Sequence, residues 1–384
     1  MDNFTYYNPT RIIFGRGSIA QLAERVPIDA KVLMTYGGGS IKRNGVYAQA
    51  IEALKGHDVV EFGGIEPNPR YETLMKAAEI AKQDRCGFLL SVGGGSVLDG
   101  TKFIAAAVRW PEGDPWDILS RYAPIATALP IGAVLTLPAT GSESNGNAVI
   151  SRDSTGEKLA FSSELVYPRF AILDPETTFT LPERQTRNGI IDAFVHVMEQ
   201  YATFPVNAPL QDRQAEAILL TLIEEGPKAL ENPQNYGARA NVMWAATQAL
   251  NNLINRGVPE DWSTHMIGHE LTALYGLDHA QTLAVVLPAM LRYKQDKKGD
   301  KLLQYAARVW QLTEGTREHR ISAAIQKTED FFRSLGVNTR LNEYGVTDGI
   351  ERVGARIGQR GQALGEHGDI CSTDIDAILE LCAT

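Results

Sequence analysis

Twice in the first hundred residues a short apolar run ends in the same tetrapeptide, Gly-Gly-Gly-Ser, at 37–40 and again at 93–96. The runs that feed these turns, 31–36 and 87–92, have strand length and lack polar alternation. Strands of that kind are covered on both faces, the usual condition of a parallel sheet wrapped by crossover helices. Further strand candidates lie at 59–62, 131–137 and 171–173, and residues 71–85 place Leu74, Ala77, Ala78 and Ala81 on one helical stripe. This half of the chain predicts an α/β domain with a Rossmann-like parallel sheet.

After Pro182 the texture changes. Long helical patterns follow one another at 189–203, 211–229, 238–253, 264–275 and 281–293, with hardly any β-branched alternation between them. A chain of 384 residues exceeds the roughly 250–300 at which single cores stop growing. The expected division is an α/β domain over 1–181 followed by an all-helical domain over 182–384. A net charge of −9 argues against a nucleic-acid or anionic-membrane surface, which would need clustered Lys and Arg. Residues 1–10 lack the basic start and apolar run of a signal peptide. No stretch reaches the roughly 20 apolar residues that span a bilayer, and Cys86, Cys371 and Cys382 form no disulfide framework. A reducing, cytoplasmic setting is the expectation.

Four of the seven histidines fall between 196 and 279. Asp192 and His196 stand four apart on a predicted helix, so their side chains project from one face, and His265 and His269 repeat the relation. Gly276 can end that second helix and Asp278 can cap the next, which puts His279 at a helix start. One carboxylate with imidazoles and no thiolate suits a divalent metal of borderline hardness, such as zinc, ferrous iron or manganese. Spacing alone leaves a second account open, in which these are separate, hydrogen-bonded core or surface histidines.

A strand that ends in glycines before a helix lets backbone N–H groups approach a phosphate without Cβ interference. Gly93-Gly94-Gly95-Ser96 reads as a pyrophosphate site on that ground, although a ligand-free βα turn uses glycine in the same way. No Gly-x-Gly-x-x-Gly is present, and no acid follows about 20 residues on, so the standard dinucleotide fingerprint does not apply. The first turn, Tyr36-Gly37-Gly38-Gly39-Ser40-Ile41-Lys42-Arg43, has no acid to hold a ribose diol. It offers a hydroxyl, free amides and two cations, a set suited to a 2′-phosphate and hence to NADP; the same cations also serve simply to solvate an exposed turn. Residues 136–147 are rich in small hydroxyl and amide side chains, either a polar loop or a neutral wall along the cofactor's ribose and carboxamide.

Together these features resemble the iron-type, metal-dependent alcohol dehydrogenase family. The resemblance spans essentially the whole chain, through Ile12-Ile13-Phe14-Gly15-Arg16-Gly17-Ser18, Phe62-Gly63-Gly64-Ile65-Glu66-Pro67-Asn68-Pro69, the run from Gly93 to Ile104, Leu137-Pro138-Ala139-Thr140-Gly141-Ser142-Glu143-Ser144-Asn145, and Gly268-His269-Glu270-Leu271-Thr272-Ala273. It implies a metal held by Asp192, His196, His265 and His279, since the family's ligands are an Asp and a His four apart and two later His fourteen apart. His269 matches a family histidine beside the substrate that is not a ligand, which makes it the catalytic candidate, with a polar or proton-relay role. The carried-over cofactor contacts are Gly38, Gly39 and Ser40 at the adenosine phosphate, Asn68 at the adenine, and Gly94, Gly95 and Ser96 at the pyrophosphate. Thr136, Thr140, Asn145, Asn147 and Lys158 match positions along the nicotinamide half. Arg187 departs from the family by replacing a small apolar residue, and puts no ligand in doubt.

The resemblance therefore implies an α/β nucleotide-binding domain and an all-helical metal-binding domain. The expected activity is interconversion of aldehydes and primary alcohols by metal-assisted hydride transfer with NADP(H) and one divalent ion, zinc or iron, in the direction of aldehyde reduction. A small-molecule aldehyde or alcohol is the expected partner, with no nucleic acid or membrane, and a homodimer the expected assembly. The alternatives are a lyase or cyclase of the dehydroquinate-synthase type and a metal-dependent hydrolase. The first would need several Lys and Arg around the metal to hold an acidic phosphorylated substrate, yet 261–291 contains none. The second leaves the duplicated glycine turns unexplained.

Overall fold

The computed structural model describes residues 1–361 and 363–383. The chain forms two compact units, one of Tyr7–Pro182 with Pro233–Thr247, the other of Met1–Tyr6, Glu183–Asn232 and Gln248–Thr384.

The first unit is built on strands β1 (Arg11–Phe14), β2 (Val32–Tyr36), β3 (Val59–Phe62), β4 (Phe88–Gly94), β5 (Ile131–Leu137) and β8 (Phe170–Leu173). They form one sheet in the order β1-β8-β5-β4-β2-β3, with every neighbouring pair parallel. Alternate residues of each strand feed opposite cores: Val32, Met34, Phe88 and Leu90 pack on one face, Leu33, Leu89, Ala133 and Leu135 on the other. Burial on both faces explains the continuous apolar runs. At about 25 cal/mol per Å² of apolar surface, those two cores are the main favourable contribution to this unit.

Two features of this unit escape a periodicity reading. Strands β6 (Asn147–Arg152) and β7 (Glu157–Ser162) pair as an antiparallel hairpin beside the main sheet. Its Ala148, Ile150 and Phe161 enter the sheet core, while Arg152 pairs with Asp114 at 2.9 Å and lies over the rings of Tyr71 and Trp116. The helix Tyr236–Ala249 also joins this unit through residue 247, with Met243 in the sheet core, Trp244 against Phe14 and Arg16 over Tyr236.

The second unit is helical. Glu183–Tyr201, Pro209–Glu231, Ser263–Tyr275 and His279–Tyr293 carry the predicted patterns, and the first begins six residues before the predicted 189. That extra N-terminal stretch includes Arg187, whose guanidinium donates to Gly336 O at 2.8 Å and to Glu183 at 2.9 Å, a surface latch away from the ligand face. A core of Ile267, Leu271, Val285, Val286, Ala289 and Ile378 binds the two later helices to the C-terminal helix Ser372–Ala383. Among the described residues, no helix is long and apolar enough to cross a membrane.

Candidate metal centre and nucleotide turns

Gly276 ends the Ser263–Tyr275 helix in the left-handed region at φ 70°, and Asp278 opens the next with a capping box to Gln281. The Asp278 carboxylate also takes the amide of Asn188 at 3.1 Å and pairs with Arg184 at 3.3 Å, both from the Glu183–Tyr201 helix. These contacts fix His279 at its helix start. Gly268 lets the two helices meet, since a Cβ there would lie 2.8 Å from Thr282 Oγ1.

The result is a convergence on one oxygen. Asp192 Oδ1 faces the Nε2 atoms of His196 at 3.6 Å, His265 at 3.6 Å and His279 at 3.5 Å. Those separations are too long for hydrogen bonds and close to the roughly 3.3 Å between ligands of a tetrahedral ion with bonds of about 2.0–2.1 Å. Asp192, His265 and His279 form the mutually close set, every ligand atom within 4.8 Å of the others. His196 lies outside that set and stacks on His265 with ring centroids 4.6 Å apart.

Among the described residues, Asp192 Oδ1 and His265 Nε2 are buried without a hydrogen-bond partner. Buried polar atoms left in that state are costly unless an ion or water completes them. A divalent cation satisfies both, so the residues fit the metal that their chemistry implies. The electrostatics agree. Burial alone would raise the Asp192 carboxyl, but His196, His265 and His279 hold it below the ordinary carboxylate range. Burial drops His196 to about 4, so the ring is neutral and free to donate its lone pair. Burial also works against charge on His265, yet Glu199 and Asp192 carry it to about 9, where a cation would compete with a proton. His269 lies beside this group, its ring 5.2 Å from that of His279 and 6.2 Å from that of His265, largely buried.

Sequence reasoning missed two members of the site. Glu199 receives His265 Nδ1–H, and Trp262 sets its ring edge-on to His265 at 5.4 Å while donating its indole N–H to Glu260 at 2.8 Å. Glu199 carried a readable signal, because positions 192, 196 and 199 share one helix face. Trp262 carried none, since it falls between recognisable patterns.

In the α/β unit the two glycine turns differ. At 93–95 no side chain fits: a Cβ on Gly93 would meet Val97 at 2.6 Å, on Gly94 Leu137 at 2.9 Å, and on Gly95 Thr140 Oγ1 at 2.5 Å. The turn opens the Gly95–Val108 helix, so Ser96 and its neighbours present main-chain N–H groups at a helix start. At Gly38 and Gly39 the space is open, and Gly39 is left-handed at φ 82°. Ser40 follows as the first residue of a single helical turn. The turn itself has no acid, but sheet register brings one in. Glu61 on β3, paired with Met34, accepts from Lys42 Nζ at 3.3 Å and from Tyr36 Oη at 3.1 Å, and Lys42 lies over the rings of Tyr36 and Tyr47. Lys42 is therefore engaged on its own sheet edge.

The remaining predicted contacts divide. Thr136 is the penultimate residue of β5, and Thr140 packs beside Gly95. Asn145 turns inward: its amide donates to Gly141 O at 2.9 Å, and its oxygen accepts from Lys102 at 3.0 Å and from Asn147 N at 2.9 Å. Asn147 O also accepts from Lys102 at 2.7 Å. Asn68 and Lys158, expected at opposite halves of the cofactor, are joined by a 2.9 Å hydrogen bond and so address one point. Lys102, unnoticed in the sequence, is fully buried, and burial lowers it to about 8 despite nearby Asp99 and Glu143.

Comparison with known proteins accords with this arrangement. The model described as "Iron-containing alcohol dehydrogenase" matches residues 9–175, and that of the "Fe-containing alcohol dehydrogenase family, C-terminal" matches 186–380. The chain is 62% identical over 375 residues to the NADPH-dependent aldehyde reductase YqhD of Escherichia coli K12, covering 96% of this chain and 97% of that one. It is 42% identical over 386 residues to a probable NADH-dependent butanol dehydrogenase of Bacillus subtilis, covering 99% of each. The crystal structure of E. coli YqhD superposes with a TM-score of 0.98 over 99% of both chains, at 59% identity.

Proposed function

The chain belongs to the iron-containing alcohol dehydrogenase family, and from that premise we propose that it is an NADPH-dependent reductase of small aldehydes, running the same chemistry in reverse on primary alcohols. The observation that carries the reading is the convergence of three imidazole nitrogens on the unpartnered Asp192 Oδ1.

Asp192, His196, His265 and His279 hold one divalent ion. Bound there, zinc or iron supplies Lewis acidity toward a carbonyl oxygen, while the nicotinamide supplies the hydride. The chain's own residues do the rest. Glycines 93–95 bring main-chain N–H groups against the pyrophosphate, and the open amides at Gly38, Gly39 and Ser40 receive the 2′-phosphate, with Lys42 already occupied by Glu61. Thr136 and Thr140 border the cofactor with neutral hydroxyls. Asn145 and Asn147 contribute through the loop they brace around Lys102, and Asn68 and Lys158 act together as one contact. In this reading His269, which is largely buried beside His279, relays a proton to the substrate oxygen.

The α/β unit closes at about residue 182 in this reading, with the helical patterns beyond it forming the metal-binding domain, apart from the recruited Pro233–Thr247 segment. A cytoplasmic homodimer acting on small molecules completes the proposal. Its test is NADPH oxidation at 340 nm with a panel of short aldehydes, using protein reloaded with Zn²⁺ or Fe²⁺ after chelation. Turnover that appears only with metal and aldehyde together supports the reading. A reloaded protein inert toward the whole panel, or equally active without metal, overturns it.

A further inference from the structure

Glu199 is 3% exposed. It follows Asp192 and His196 on the same helix, seven and three residues on, so the three share one face. Its Oε2 accepts from His265 Nδ1. Its Oε1 accepts the main-chain N–H of Thr264 at 2.6 Å and, at greater length, that of His265 at 3.4 Å. One carboxylate thus grips both an imidazole and the first turn of the helix that carries it. With Nδ1 donating, the lone pair stays on Nε2, the nitrogen that faces Asp192 Oδ1 at 3.6 Å. His196 lacks such support, since its Nδ1 has no hydrogen-bond partner among the described residues.

We propose that Glu199 is the positioning residue of the metal centre. It fixes the tautomer and ring plane of His265, and with Asp192 it supplies the two negative charges that balance a divalent ion in a buried site. Helix capping alone would need only Oε1; the Oε2 contact with the ring has no part in it. A carboxylate behind a ligating imidazole also raises the basicity of the ligand nitrogen. The proposal rests on the reading of Asp192, His196, His265 and His279 as the ligand set.

The experiment measures Zn²⁺ affinity of the full-length apoprotein by chelator competition, the visible absorption of the Co²⁺-loaded form, and the thermal midpoint of the apoprotein. Glu199→Gln should weaken Zn²⁺ binding about 10- to 100-fold and alter the Co²⁺ bands. Glu199→Asp, which keeps the charge, should recover part of that loss and serves as the test if the amide variant does not fold. In a His265→Ala background Glu199→Gln should add less than about two-fold, because its effect passes through the ring it holds. Parental Zn²⁺ affinity and Co²⁺ absorption in Glu199→Gln, even with a lowered thermal midpoint, would make the residue merely structural and overturn the proposal, as would a full additional loss in the His265→Ala background. The two readings fail differently: parental affinity in His265→Ala alone would sink the ligand set, whereas a loss there without one in Glu199→Gln sinks only the role of Glu199.

Discussion

At the turns 37–40 and 93–96 the groups offered to a ligand are main-chain amides of consecutive residues, whereas at the metal centre they are side chains drawn from three helices. The two regions therefore fail in opposite ways. At the proposed amide sites an added atom would do the damage, as the 2.5 Å approach of a Gly95 Cβ to Thr140 shows for the second turn. Where side chains converge, a removed atom does it, because each imidazole leaves buried partners without a ligand.

The largest effect that could break this contrast comes from deleting a ligand. Asp192→Ala or His265→Ala should lower kcat by about 10³-fold or more, since Lewis-acid stabilisation is worth several kcal/mol and about 4 kcal/mol is three decades. NADPH affinity, measured by fluorescence titration of the same proteins, should stay within about two-fold of the parent. Equal loss of turnover and nucleotide binding in a folded variant would show that the two regions are not separate.

A smaller effect sharpens the contrast within the helical unit, away from the metal. Glu329 is buried at 1% exposure between Arg292 and Arg340, and although burial opposes it, their guanidiniums pull the carboxyl down to about 2. Because the folded value lies below the ordinary one, the unfolded chain binds the extra proton. The stabilisation is then fully present above about 4.5 and is lost as pH falls through about 2. Glu329→Gln should cost about 3 kcal/mol at pH 7, and the gap from the parent should narrow steadily as pH drops from about 5 toward 2. Urea unfolding of both proteins across that range checks the sign; a gap that widens in acid would refute it.

The contrast also explains which parts of the molecule were legible in the sequence. Local devices were readable: the doubled Gly-Gly-Gly-Ser turns, the four-residue spacing of Asp192 and His196, and the Gly276–Asp278 junction that sets His279. The helix Tyr236–Ala249 was legible as a helix but not as a neighbour of the sheet, because its attachment through Met243 and Trp244 depends on surfaces far away in sequence. The β6–β7 hairpin was hidden because its buried apolar residues, Ala148 and Ile150 on one strand and Phe161 on the other, make an alternation too short to read as a strand. Glu61 was overlooked for a related reason: only parallel register carries it from β3 to Lys42. Glu199 was missed although it shares a helix face with Asp192 and His196, because its partner His265 arrives from another helix.

The smallest predicted effect bears on the open turn, where the rule that added atoms do damage can be split into shape and charge. Gly39 has room for a side chain, with no atom within 4 Å of a built Cβ, but its φ of 82° strains most residues. Asp is among those that tolerate the left-handed region best. Gly39→Asp should place a carboxylate where a 2′-phosphate would bind, repelling NADPH and offering the free ribose hydroxyls of NADH an acceptor. Losing a charge-assisted contact costs about 1.5–3 kcal/mol, so kcat/KM with NADPH should fall at least about ten-fold relative to NADH. Gly39→Ala is the control, since it carries the backbone strain without the charge and should slow both cofactors alike. Lys42 is already held by Glu61 and the two tyrosine rings, so it should not swing across to rescue NADPH. If kcat/KM ratios for the two cofactors match between Gly39→Asp and Gly39→Ala, only shape matters at this turn and the phosphate is recognised elsewhere.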